Sequence, residues 1–171
     1  MSSDLSLFDI PEAPVPPVTE LHIPVVTELH IPVVTVFCDG GSRGNPGPAA
    51  IGAVVLDTRS DPAEVLDSVS ECIGVATNNV AEYKALIAGL RAAQKFTPIE
   101  VKVRADSELL IRQLEGRYRV RNAGLQPLHR EASLLLATFT KFELQHVRRE
   151  FNTEADALVN AALDAPLSTS E

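Results

Sequence analysis

The chain is 171 residues long, 45% apolar and 22% charged, which is room for one domain with a substantial core. Asp and Glu number 23 against 15 Lys and Arg, and the net charge of −8 excludes nucleic-acid binding driven by total charge, though not by clustered arginines. Two cysteines, Cys38 and Cys72, exclude a disulfide framework or a cysteine metal site; without a membrane-length apolar run or the pattern of a signal peptide, the chain is expected to be soluble, cytoplasmic and reduced.

Residues 1–34 hold five acids and no Lys or Arg. Within them TELHIPVV at 19–26 recurs unchanged at 27–34, too short a unit to stack into a solenoid. With prolines at 11, 14, 16, 17, 24 and 32, residues 1–32 read as an extended or disordered tail. The duplication reads as a slipped repeat, with a protein partner bound through the tail as the alternative. Residues 166–171 form a short C-terminal tail, and residues 33–165 the globular domain.

That domain opens with a strand ending at Asp39 (VVTVFCD), a Gly/Pro turn, a second strand over 49–57 and a third over 64–74. A helix follows over 78–95, with Tyr83, Leu86, Ile87, Leu90 and Ala93 on one face and Thr77 or Asn78 placed to cap it. IEVKVRA (99–105) is a fourth strand and SELLIRQL starts a short helix. A helix over 125–139 tolerates Pro127 in its first turn, KFELQHVRR (141–149) is a fifth strand, and a last helix covers 153–163. Three strands followed by alternating helices and strands predict an α/β protein built on one mixed sheet.

Four carboxylates stand out on this frame. Asp39 and Asp106 each end an apolar strand. Glu82 precedes Leu86, Gly89 and Ala93 by four, seven and eleven residues, and Asp156 precedes Val159 and Leu163 by three and seven, so each borders an apolar stripe. Singly, each has a structural explanation: a turn at Asp39, a helix cap at Asp106, favourable helix dipoles at Glu82 and Asp156. Converging, they would repel, and the usual remedy is a hard cation with oxygen ligands, suited to phosphate substrates.

DGGSRGNPGPAAIG, ATNNVAEYKALIAGL, VRADSELLIRQL and REFNTEADALVNAA, in this order, resemble the type 1 ribonuclease H family over residues 33–165. The resemblance implies a ribonuclease H-like five-stranded mixed sheet with helices on both faces. It also implies Mg²⁺-dependent endonucleolytic cleavage of the RNA strand of RNA–DNA hybrids. It places Asp39, Glu82, Asp106 and Asp156 as catalytic metal ligands, holding two Mg²⁺ ions with substrate, or Mn²⁺ as substitute. The glycines after Asp39 would then serve the turn and the close approach of substrate backbone. Asn45, Asn78 and Asn79 match positions that grip the hybrid in its minor groove, and Thr77 one that contacts a DNA phosphate. The same Asn and Thr residues also suit turns and caps.

Three departures from the family pattern shape the expectations. The basic insertion of many members is replaced by GRYRVRNAG, in which Arg117, Arg119 and Arg121 beside Tyr118 are candidates for nucleic-acid contact or a solvated run. The histidine-bearing loop before the last acid is missing, and Arg149 is the nearest candidate for a supporting role; His146, inside the fifth strand, is not. Glu108 stands where many members carry an RNA-touching glutamine. The alternative function is a catalytically weak RNA- or hybrid-binding module of the same fold, and a third is an adaptor acting through the tail. The expected partner is the hybrid, with no membrane, and the expected state a monomer.

Overall fold

The computed structural model describes residues 30–165, so the N-terminal tail up to residue 29 and residues 166–171 lie outside the described residues. Strands β1 (Val33–Ser42), β2 (Gly47–Asp57) and β3 (Glu64–Ala76) form an antiparallel meander. β4 (Glu100–Ala105) lies parallel to β1, and β5 (Lys141–His146) parallel to β4, giving the order β3-β2-β1-β4-β5. Helices α1 (Asn78–Gln94), α2 (Glu108–Leu114), α3 (Gln126–Ala137) and α4 (Thr153–Asp164) complete the chain, with a 3₁₀ turn at Arg149–Phe151 before α4. This is the expected five-stranded mixed sheet with helices on both faces.

β2 starts two residues earlier and β3 ends two residues later than expected, and two strand ends near the acids differ more. β1 continues past Asp39, because Asp39, Gly40, Gly41 and Ser42 all pair with β2, opposite Gly52, Ile51, Ala50 and Ala49. β5 stops at His146 instead of reaching Arg149, because its partner β4 ends at Ala105; Val147 makes one more bond to Ala105 and the chain then turns.

Alternation along β1 separates the two layers. A Cβ added at Gly40 would overlap the backbone of Ala81 and Glu82 in α1, whereas one at Gly41 would press on Val159 Cγ1 of α4 at 3.1 Å. Gly40 and Gly41 therefore admit helices from both sides, where the turn and the close approach of substrate backbone were the expected uses. On the α1 side Val34, Val36, Val101 and Val103 pack with Leu86, Leu90, Leu110, Ile111 and Leu136 into one core. Each such buried side chain contributes about 1.5–3 kcal/mol. A smaller cluster of Ala50, Val159 and Ala162 sits under α4.

The packed body begins slightly ahead of the expected boundary. Ile31 is 3% exposed within the main core, its N–H donates to Phe96 O, and Pro32 O accepts from Ile99 and Glu100 N–H. A chain starting at residue 30 is therefore expected to be more stable than one starting at residue 33, by roughly 2–5 kcal/mol from the lost isoleucine. Urea midpoints of the two truncations check this; equal midpoints would place Ile31 outside the cooperative unit.

Candidate active site

The parallel register of β1 and β4 places Cys38 beside Ala105, so the next residues, Asp39 within β1 and Asp106 just past the end of β4, lie at one level. Strands so paired lie about 4.8 Å apart. Gly40 lets α1 approach this edge and brings Glu82 with it, while Gly52, whose Cβ would overlap Ala155 O, seats the first turns of α4 and with them Asp156. The four acids line one cleft of about 350 Å³, together with Arg43, Asn78, Arg149 and Asn160.

Their simpler roles are mostly taken by other residues. Asp39 is paired in β1 and is no turn residue. Thr77 caps α1, its Oγ1 accepting from Val80 N at 3.3 Å, and Ser107, not Asp106, caps α2 by accepting from Leu110 N. Glu82 lies beyond the first turn of α1, whereas Asp156 does sit in the first turn of α4, where the helix dipole favours it.

The electrostatics reflect the crowding. Burial, then the charges of Asp106, Asp156 and Glu82, push the Asp39 carboxyl up to about 7, against a lowering bond from Gly40 N–H. Burial also pushes Glu82 to about 7, with Asp106 adding to it and the hydroxyl of Ser107, which donates to Glu82 Oε2, opposing. Burial first, and then Asp39, Glu82 and Asp106, drive the thiol of Cys38 above its usual range and keep it neutral. Arg149 donates to Asp156 Oδ1 at 2.8 Å and is held more firmly protonated by that bond and charge.

The other expected residues are divided. Asn45 and Asn78 interlock the β1–β2 turn with α1: Asn45 Oδ1 accepts from Asn78 N at 3.2 Å and Asn78 Oδ1 from Ser42 N at 2.8 Å. Asn78 lines the acidic cleft; Asn45, Thr77 and Asn79 do not. Arg117 and Arg119 line a separate groove of about 820 Å³ with Tyr118, His129 and Arg130, and Arg121 belongs to neither. Glu108 is exposed and faces Arg112 at 3.4 Å. Sequence reasoning passed over Arg43, Ser107, Asn152 and Asn160. An Asn or Ser at the start of each acid-bearing helix was the available signal.

Residues 37–162 match the family described as "Reverse transcriptase-like". The chain is 43% identical over 128 residues to ribonuclease HI of Halobacterium salinarum, covering 75% of this chain and 63% of that protein. The chain belongs to the type 1 ribonuclease H family. A bifunctional protein of Mycobacterium tuberculosis is 47% identical over 127 residues, 74% of this chain. The chain spans only about a third of that relative's length, 34%. LC11-RNase H1, solved in complex with RNA/DNA hybrid, superposes with a TM-score of 0.71 at 40% identity, covering 77% of this chain and 96% of that one.

The cleft offers four oxygen-donor side chains that could hold a hard divalent cation. Among the described residues no three His, Cys, Asp or Glu side chains form a ready-made cage. Mg²⁺ commonly takes one or two carboxylates and completes its shell with water and substrate phosphate. A cation would also offset the burial and the repulsion that together raise Asp39 and Glu82.

A carboxyl whose folded pKa exceeds its free value holds its proton more tightly when folded, so ionising it costs stability. Without metal, these two groups are expected to lower stability as pH rises from about 4, near their ordinary values, to about 7. Asp57, held near 2 by Arg59, acts in the opposite sense below that window. Urea unfolding in EDTA across the window measures the slope, and Asp39→Asn should flatten it. A slope unchanged by Asp39→Asn would mean that Asp39 titrates as an ordinary carboxylate.

Proposed function

We propose that the chain is a ribonuclease H, an endonuclease that hydrolyses the RNA strand of RNA–DNA hybrids with divalent metal. The observation that carries this reading is the convergence of Asp39, Glu82, Asp106 and Asp156 in one cleft, with two of them driven to about 7. The hybrid-bound LC11-RNase H1 and the Halobacterium ribonuclease HI support the substrate.

In this mechanism the four acids hold two Mg²⁺ ions with substrate, or Mn²⁺ in their place. Such ions supply an activated water and stabilise the leaving oxygen of a phosphodiester. Asn45 and Asn78 have their amide oxygens engaged within the protein, which leaves their amide nitrogens to donate to minor-groove acceptors and 2′-hydroxyls. Asn79 and Thr77 stand beside them, Thr77 toward a phosphate. Arg149, 78% exposed in its side chain, reaches from Asp156 to the scissile phosphate and supports the reaction where the family's histidine loop is missing. Arg117, Arg119 and Arg121 attract the backbone of the hybrid farther along. The enzyme acts as a monomer in the cytoplasm, where its unpaired cysteines stay reduced. The N-terminal tail is dispensable for the chemistry.

A weak binding module of the same fold is the competing reading, but a pure binder gains nothing from four clustered negative charges near phosphates. Asp39→Asn separates the two. Cleavage of labelled hybrid in Mg²⁺ is expected to fall by several orders of magnitude, while the fold and hybrid binding in EDTA persist. A folded Asp39→Asn protein that cuts at the wild-type rate would overturn the nuclease assignment.

Replacing Arg117, Arg119 and Arg121 together with Ala is expected to raise KM and flatten the salt dependence of binding, by at most about one log–log unit per lost phosphate contact. Arg117 already faces Glu115 at 3.2 Å and should contribute least. An unchanged slope would make the segment a solvated surface.

A further inference from the structure

One buried polar side chain beside the acids has no role in the scheme above. Asn152, 1% exposed, sits between the 3₁₀ turn and α4. Its Nδ2 donates to Cys38 O at 3.0 Å and to Asp106 Oδ1 at 3.2 Å. These two acceptors fix the amide's orientation, since the flipped group would set oxygen against oxygen. Its backbone N–H donates to Arg149 O at 2.9 Å, and its carbonyl accepts from Asp156 N at 3.1 Å.

Asn at a helix start ordinarily turns its side-chain oxygen onto the first helical N–H groups. Here no side-chain cap bond forms, and Asn152 Oδ1 is buried with no partner among the described residues. Leaving a buried acceptor unpaired forfeits the hydration it had in water with nothing in return. The side chain thus forgoes the local bond and directs both amide hydrogens at the strand ends that carry the acids.

We propose that Asn152 is a positioning residue for the metal site, tying the carbonyl before Asp39 and the carboxylate of Asp106 to the backbone that presents Arg149 and Asp156. This rests on the ribonuclease H reading. Asp106 then keeps one oxygen on Asn152 and turns the other into the cleft, so the acids are arranged before a cation arrives.

The test uses the full chain with Asn152→Ala and Asn152→Ser, titrated with Mn²⁺ alone by calorimetry and assayed on hybrid in Mg²⁺. Serine is favoured at a helix start, so that variant should fold even if alanine does not, yet its shorter side chain cannot span both acceptors. Mn²⁺ affinity is expected to weaken 10–100-fold, with kcat falling similarly and KM changing by less than about threefold. Wild-type Mn²⁺ affinity and kcat in Asn152→Ser, whatever its melting temperature, would overturn the proposal. Asp39→Asn serves as the control. If it loses Mn²⁺ binding while Asn152→Ser does not, only the positioning role falls. If it binds Mn²⁺ and cleaves as wild type does, the ribonuclease H reading falls and this inference with it.

Discussion

Four carboxylates held together in a partly buried cleft are the constraint on which the rest of the site depends. Like charges at such separations repel, and burial removes the water that would screen them. Burial first, and then the neighbouring charges, raise Asp39 and Glu82 to about 7. A fold that keeps such a cluster must oppose it with packing elsewhere and with donors at close range.

The packing comes from the sheet. β1 and β4 run parallel through the centre, their valines buried under α1, so Asp39 and Asp106 are carried to one level on buried strands. Glycines at 40 and 52 remove the side chains that would hold α1 and α4 away, and Glu82 and Asp156 follow the helices inward. Stability generated by apolar burial is thereby set against electrostatic strain at a single place.

Side-chain donors meet three of the four acids. The Ser107 hydroxyl meets Glu82, the Asn152 amide meets Asp106, and Asp156 takes both the Asn160 amide and the Arg149 guanidinium. Only the last carries charge, and it is the most exposed. The neutral donors orient their carboxylates without cancelling them, which leaves the cleft negative and receptive to a cation. Arg117 and Arg119 of the α2–α3 connection line a separate groove. The molecule therefore separates an acidic cleft from an arginine-lined groove, even though its total charge is negative.

The sequence by itself determined the element order, the core stripe of α1, the class of sheet and the four acids. These depend on local periodicity, on turn residues and on ordered motifs, all of which are written along the chain. Thr77 as cap and Tyr83, Leu86 and Leu90 as core were legible for the same reason. The tertiary structure alone decided how far β1 runs past Asp39, because strand length there follows pairing with β2, a partner supplied from outside the segment. It decided that Gly40 and Gly41 admit helices, since a missing side chain says nothing of what fills its place. It also decided which polar neighbours serve the acids. Asn152 reaches Cys38 O and Asp106 across 114 and 46 residues of chain, and a hydrogen bond of that separation exists only once the strands are registered and α4 is seated.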